Sequence, residues 1–340
     1  LFEIIYKRLL AAVPLLLILS IVAFSIIKSL PGDPIDVMLG SAQREIPPEQ
    51  LAHLRTEMGL DRPVPEQYLR WLYHVVAKGD FGLSYKDGRP VAEVIEERIP
   101  ATLILVFVSL LIAFAFGIVW GLAMVWFRSR NAKSYIESAL FSSAMIVYSA
   151  PSFWLALLAI TLLANSTQFA GISLLGLHDP GEDATLLSML RHALIPAIIL
   201  ASRRTAKIAL FVRASTLDEM SKEYVVTARS KGLSRTAVLL RHVARNSLLP
   251  VASLVGLSLP ALLGGSVLIE TVFAWPGMGR LSVESTFARN YPVILALIML
   301  YGVMVIVSSL LADIVQIILD PRISQGNADE QSTSRGAAVA

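Results

Sequence analysis

Glu223-Tyr-Val-Val-Thr-Ala-Arg-Ser-Lys-Gly232, running on to Arg241-His-Val-Ala-Arg-Asn-Ser-Leu-Leu-Pro250, is a polar and basic island between two long apolar runs. The flanking runs are long enough to cross a hydrocarbon core about 30 Å thick, which takes roughly 20 apolar helical residues. A chain built mainly of such runs has little reason to keep a charged, helix-compatible segment unless something outside the bilayer uses it. Gly232 is placed to end a helix in the left-handed conformation. Tyr224, Val225 and Ala228 share one helical face, and Arg229 and Lys231 project cations beside it. Two uses fit these residue types: docking into a groove on a soluble partner, or lying on anionic lipid.

Working outward, 55% of the 340 residues are hydrophobic and the apolar residues come in blocks of span length. The composition is that of a polytopic membrane protein rather than a soluble domain. About six spans are predicted, near 9–27, 103–127, 136–163, 193–211, 248–269 and 293–319. Pro151, Pro196 and Pro260 interrupt three of them, as packing kinks or as bends beside a pathway. Lys28-Ser-Leu-Pro-Gly-Asp33 is not a small-residue cleavage site, so the first apolar run reads as a retained span.

Orientation follows from where the cations lie. Lys7 and Arg8 precede span one, and Arg128, Arg130 and Lys133 fill the second loop. Arg203, Arg204, Lys207, Arg213, Lys222, Arg229, Lys231, Arg235, Arg241 and Arg245 are counted with the region between spans four and five. The loop around Asp179, Glu182 and Asp183 has acids instead, and residues 31–100 begin with Asp33, Asp36, Glu45, Glu49, Glu57, Asp61 and Glu66. Both termini are therefore expected in the cytoplasm. The expected organisation is an N-terminal span (1–30), an external cap (31–100), a core (101–320) carrying the cytoplasmic loop 213–247, and a flexible tail (321–340). Short helices are expected in the cap at 48–58, at 64–76 with Tyr68, Leu69, Leu72 and Val75 on one side, and at 91–99.

The residues of the central island resemble the cytoplasmic coupling loop of ATP-binding-cassette importer permeases. They are most similar to the dipeptide/oligopeptide/nickel branch, where Tyr-Val-x-x-Ala-Arg-x-Lys-Gly-Leu is followed by Arg-His-x-x-Arg-Asn-x-x-x-Pro. The broad class usually shows Glu-Ala-Ala, three residues, then Gly. Here Val226, Thr227 and Ala228 occupy that triplet and Glu223 lies one turn earlier. Glu270-Thr-Val-Phe-Ala-Trp-Pro-Gly-Met-Gly-Arg280 and Arg289-Asn-Tyr-Pro292 extend the resemblance, as do Pro31-Gly-Asp-Pro34, Gly79-Asp-Phe-Gly82, Pro151-Ser-Phe-Trp154 and Asp320-Pro-Arg-Ile323. Phe273 and Trp275 are expected at the membrane interface as an aromatic anchor, on a loop with or without substrate contact.

The resemblance implies an all-α membrane protein with the type I importer permease fold and a small external helical cap between spans one and two. It implies a bacterial inner-membrane permease that forms half a translocation pathway. The implied partners are a second homologous permease, two cytoplasmic ATP-binding subunits, an external solute-binding protein and membrane lipid, with no nucleic acid. The residues it implies for ATPase coupling are Glu223, Tyr224, Val225, Ala228, Arg229, Lys231 and Gly232. Relatives carry dipeptides, longer peptides, glutathione, opines or nickel chelates.

The chain has no Gly-Lys-Ser/Thr phosphate loop, so no cofactor is expected in it and ATP with Mg would be bound by partners. It has no cysteine, and its five histidines lack ligand spacing. No catalytic or metal constellation is expected. An ion-coupled secondary transporter is the rival reading, and it would want ionisable residues at membrane depth. In the sequence Glu270 and Arg191 read as external-end charges and the spans as almost free of others. Ser149, Ser152 and Ser202 are polar positions near the kinks.

Overall fold

The computed structural model describes residues 2–30, 35, 47–57, 59–128, 134–164, 175–178 and 185–319. The motifs at 31–34 and 320–323, the acidic residues Asp179, Glu182 and Asp183, the cations Arg130 and Lys133, and the tail lie outside them. The described residues are almost wholly helical. α1 (Phe2–Ser29) is the first span. The cap contributes α2 (Pro48–Glu57), α3 (Val64–Tyr73, continued by a π-helical turn over His74–Lys78) and α4 (Val91–Glu96). The core then runs through α5 (Ile99–Arg128), α6 (Ser134–Ser149), α7 (Ser152–Ala164) and α8 (Leu186–Glu219).

After α8 come α9 (Glu223–Ser230), α10 (Arg235–Ala237), a π-helical stretch over Val238–Val243, and α11 (Ala244–Ser247). α12 (Leu249–Val272), α13 (Met278–Phe287) and α14 (Tyr291–Leu319) complete the core. Among the described residues, four helices are long and apolar enough to cross a membrane, and the bent pair α6–α7 counts as a fifth. α12, with 24 residues, covers the range of the fifth predicted span and is not among those counted.

One expectation about the spans is corrected. The third is not one rod: α6 and α7 meet at Ala150–Pro151 with a bend of 102°. Proline lacks the amide hydrogen and its ring clashes with the preceding turn, so the chain breaks there instead of merely kinking. The fourth is a single helix of 34 residues that continues through Arg203, Arg204 and Lys207. The predicted span 193–211 already holds these three cations, although orientation counts them with the loop, and the helix keeps them.

α5 and α8 form the spine of the core. On α5, Ala113, Gly117 and Gly121 recur every fourth residue and all three are buried. A Cβ on Gly117 would lie 2.8 Å from Ile208, and one on Gly121 would lie 2.6 Å from the Ala209 carbonyl. Backbones approach this closely in membranes because packing and interhelical contact, rather than expulsion of water, drive association.

The cap rests on the core through aromatic contacts. Phe24 of α1 meets the Tyr68 ring edge-on at 5.5 Å and Trp71 at 5.8 Å, and Ser20 Oγ lies 2.9 Å from Tyr68 Oη. Of the side expected to be apolar, Tyr68 makes the contact, together with Trp71, whereas Leu69 is 62% exposed. Asn290 ties the cap loop down: its Oδ1 accepts from the Tyr85 amide at 3.0 Å and its Nδ2 donates to Ser84 Oγ at 2.8 Å.

Candidate functional site

The residues of the central island fold as a short helix clamped onto its own chain. Lys222 precedes α9 in extended conformation, and Gly232 follows it at φ +78°, the left-handed geometry expected at that position. The Gly232 amide donates to the Arg229 carbonyl at 2.9 Å and closes the last turn. Val225 and Ala228 are buried, packed with Val125, Val238, Leu239 and Val243 and bordered by Trp126, Leu217 and Tyr224. The face shared by Tyr224, Val225 and Ala228 is therefore turned inward. It seats α9 on the ends of α5 and α8, and it is not a knob offered to a partner.

The outward face is different. Glu223, Val226, Thr227, Arg229, Lys231 and Gly232 are exposed, and Val226, 63% exposed, is its apolar centre. Position Val226 is one of those that the broad-class spacing picks out, and that count was the sequence signal for it.

Polar bonds at the root of α9 fix its angle. Tyr224 Oη donates to Glu219 Oε2 at 2.7 Å, and the Lys222 ammonium pairs with the same carboxylate. Burial and then that hydrogen bond push the Tyr224 hydroxyl above its ordinary pKa. Nearby, Arg213 Nε donates to Glu137 Oε1 at 3.0 Å, joining α8 to α6. Ser215 Oγ donates to the Ser247 carbonyl at 2.9 Å, and Thr216 Oγ1 donates to Ser247 Oγ at 3.1 Å, joining α8 to α11. Packed contacts thus join α9 to α5 and α8, and polar bonds join α8 to α6 and α11.

The segment after α12 overturns the reading of its aromatics. Phe273 and Trp275 are fully buried, and Trp275 Nε1 donates to the Ala101 carbonyl at 2.9 Å. They are core residues and not interfacial anchors, because the chain turns back under α5. Ala274 ends α12 at φ +50°, while the Trp275 amide donates to the Glu270 carbonyl at 2.8 Å.

Glu270 is fully buried too, and not an inexpensive charge at a span end. Its Oε1 accepts from Thr102 Oγ1 at 2.9 Å and its Oε2 from the Arg280 amide at 3.1 Å. Thr102 Oγ1 in turn accepts from the Met278 amide at 2.8 Å. Buried polar groups must be satisfied, and this carboxylate binds α5, α12 and α13 into one unit. A sequence signal existed: an acid closing an apolar run, with Trp-Pro-Gly-Met-Gly beginning five residues later. A Cβ on Gly277 would fall 2.4 Å from Glu270 Oε2, and one on Gly279 would fall 2.6 Å from Val267 Cα. The glycines are what let α13 close over the carboxylate.

Among the described residues no group of His, Asp or Glu is arranged to hold a metal ion. Residues 113–325 match the model of the binding-protein-dependent transport system inner membrane component, and residues 1–106 match that of its N-terminal part. The chain belongs to this family. It is 36% identical to the oligopeptide transport system permease protein AppB of Bacillus subtilis, over 94% of this chain and 98% of that one. It is 33% identical to the dipeptide transport system permease protein DppB of Escherichia coli K12, with the same coverage of both chains.

The methionine transporter MetNI in an inward-facing form shares the fold, at a TM-score of 0.54 and 19% identity over 67% of this chain and 97% of that one. The permease accordingly has the type I ABC importer fold. It is a multi-pass inner-membrane subunit of a binding-protein-dependent transport system, a class that works with ATPase and binding-protein partners.

Proposed function

We propose that this permease forms half of the translocation pathway of an ATP-driven peptide importer and is moved by ATPases seated on α9. Peptides are the solute class because the relatives matching it end to end are named for oligopeptide and dipeptide transport. The partners in this reading are a second homologous permease, two cytoplasmic ATPases that hold ATP and Mg, and an external solute-binding protein. Both termini, α9 and the turn at Gly232 lie in the cytoplasm, and the cap lies outside.

The observation that carries the reading is the two-sided character of α9. One side is locked to the chain by Val225, Ala228 and Tyr224, and the other presents Val226 among Glu223, Thr227, Arg229 and Lys231. A helix resting on lipid would present several apolar residues outward; this one presents a single valine within a polar rim, which suits a protein groove. ATP-driven closure of the ATPase pair would carry the two α9 helices together and swing α5 and α8 with them.

The test is uptake of radiolabelled alanine peptides into proteoliposomes holding all partners. ATP-dependent accumulation that needs the binding protein is expected. Accumulation driven by a proton or sodium gradient without ATP would replace this reading with that of a secondary transporter.

A further inference from the structure

Arg203 and Arg204 lie at membrane depth. The uncharged stretch of α8 between Arg191 and Arg203 spans only about 16 Å at 1.5 Å per residue, roughly half of a hydrocarbon core. The packing of α5 on α8 gives the level directly. α5 has no charge until its last residue, Arg128, and Gly117 of α5 lies against Thr205 and Ile208 of α8. Gly117 is about 17 Å along the helix from Arg128 and about 29 Å from Arg98. Arg203 and Arg204, just before Thr205, are therefore level with the middle of the charge-free helix.

The broken third span meets them there. The Arg203 guanidinium lies 5.4 Å from the centre of the Tyr148 ring, two residues before the break at Ala150–Pro151. Ser149 and Pro151 at the break are exposed, as are Arg203 and, one turn on, Lys207. Arginine facing lipid at this depth is costly, and such residues face a cavity or a partner group. Interrupted backbone at this depth is likewise tolerated only inside protein or along a water-filled space.

We propose that Arg203 and Arg204, beside the α6–α7 break, form a mid-membrane station that receives an anionic group of the transported solute. Resting on the importer reading above, that group is a peptide carboxylate. A planar guanidinium suits a carboxylate because it can donate two parallel hydrogen bonds. Tyr148 holds the Arg203 plane, and Lys207 extends the positive face toward the cytoplasmic side. The station would hand the solute on when α8 moves with α9.

The chain has no native cysteine, so Arg203→Cys is the one thiol that this subunit brings to the full transporter, and a transporter with the unaltered permease supplies the background. It should react with a negatively charged methanethiosulfonate at least tenfold faster than Ile18→Cys in the middle of α1. A mixture of di- to penta-alanine, given with the binding protein, should slow that reaction severalfold, while the same peptides as C-terminal amides should not. Lys207→Cys gives the same reading should Arg203→Cys fail to assemble. Arg203→Gln with Arg204→Gln should lower kcat/KM for uptake about tenfold with ATPase copurification unchanged, and Arg203→Lys should fall between. Cysteines that react no faster than Ile18→Cys, or that peptide does not protect, would overturn the station, as would wild-type uptake by the double glutamine variant. Absence of ATP-dependent uptake by the unaltered transporter would instead overturn the importer reading itself.

Discussion

The Thr102 hydroxyl donates to Glu270 Oε1 at 2.9 Å across 168 positions of sequence, and so fastens the start of α5 to the end of α12. Glu270 Oε2 holds the first turn of α13 through the Arg280 amide. Removing the carboxylate would leave buried donors unpaired, at about 1–3 kcal/mol each. Glu270→Ala is expected to lower the Tm of the detergent-solubilised complex by several degrees, with Glu270→Gln milder because one acceptor remains. Equal Tm for Glu270→Ala and the unaltered protein would show the hub to be dispensable.

Gly277 and Gly279 should tolerate nothing larger. A methyl group at Gly279 meets the α12 backbone at Val267, and backbone cannot step aside as a flexible side chain does. Gly264→Ala is the contrast, since nothing lies within 4 Å of a Cβ there. Membrane-inserted yield should collapse for Gly279→Ala and Gly277→Ala and stay normal for Gly264→Ala. Normal yield from all three would mean that α13 packs differently.

Helix content, the membrane class and the position of the Gly232 cap were legible in the sequence because each rests on local rules of length, hydropathy and positive φ. What was hidden depends on where the chain returns in space. Phe273 and Trp275 read as interfacial aromatics, and only the path back under Ala101 shows them to be core. Val225 and Ala228 share a helical face, yet periodicity does not say whether that face looks to a partner or to Val125 and Val238. Arg203, Arg204 and Lys207 adjoin a cytoplasmic basic stretch, so counting cations groups them with it even though the predicted span 193–211 contains them. The register of Gly117 against Thr205 is what places them level with the middle of α5.

The turn after α9 is set by backbone and not by space. A Cβ on Gly232 would meet nothing within 4 Å, but φ +78° is costly for most residues, by about 1–2 kcal/mol. Gly232→Asn should therefore keep most peptide uptake, whereas Gly232→Val should reduce it severalfold, and Gly232→Asp should lose more than Asn because it adds an anion among cations. Uptake is measured at matched protein level in membranes. Equal activity of Asn and Val variants would separate coupling from this turn.

Orientation has a direct check. Lys86→Cys, in the cap, should react with an impermeant maleimide on intact spheroplasts. Ser221→Cys, beside α9, should react only after the membrane is opened. The reverse pattern would place α9 away from any cytoplasmic ATPase.

The central claim is that the outward face of α9 is the seat of the ATPases. Val226→Asp puts a charge on that face without touching the packed residues Val225 and Ala228. Copurification of the ATPases with the tagged permease should fall at least tenfold in Val226→Asp combined with Arg229→Glu and Lys231→Glu, while insertion and pairing with the second permease persist. Stoichiometric ATPase recovery with the triple variant, at normal permease level, would contradict the account.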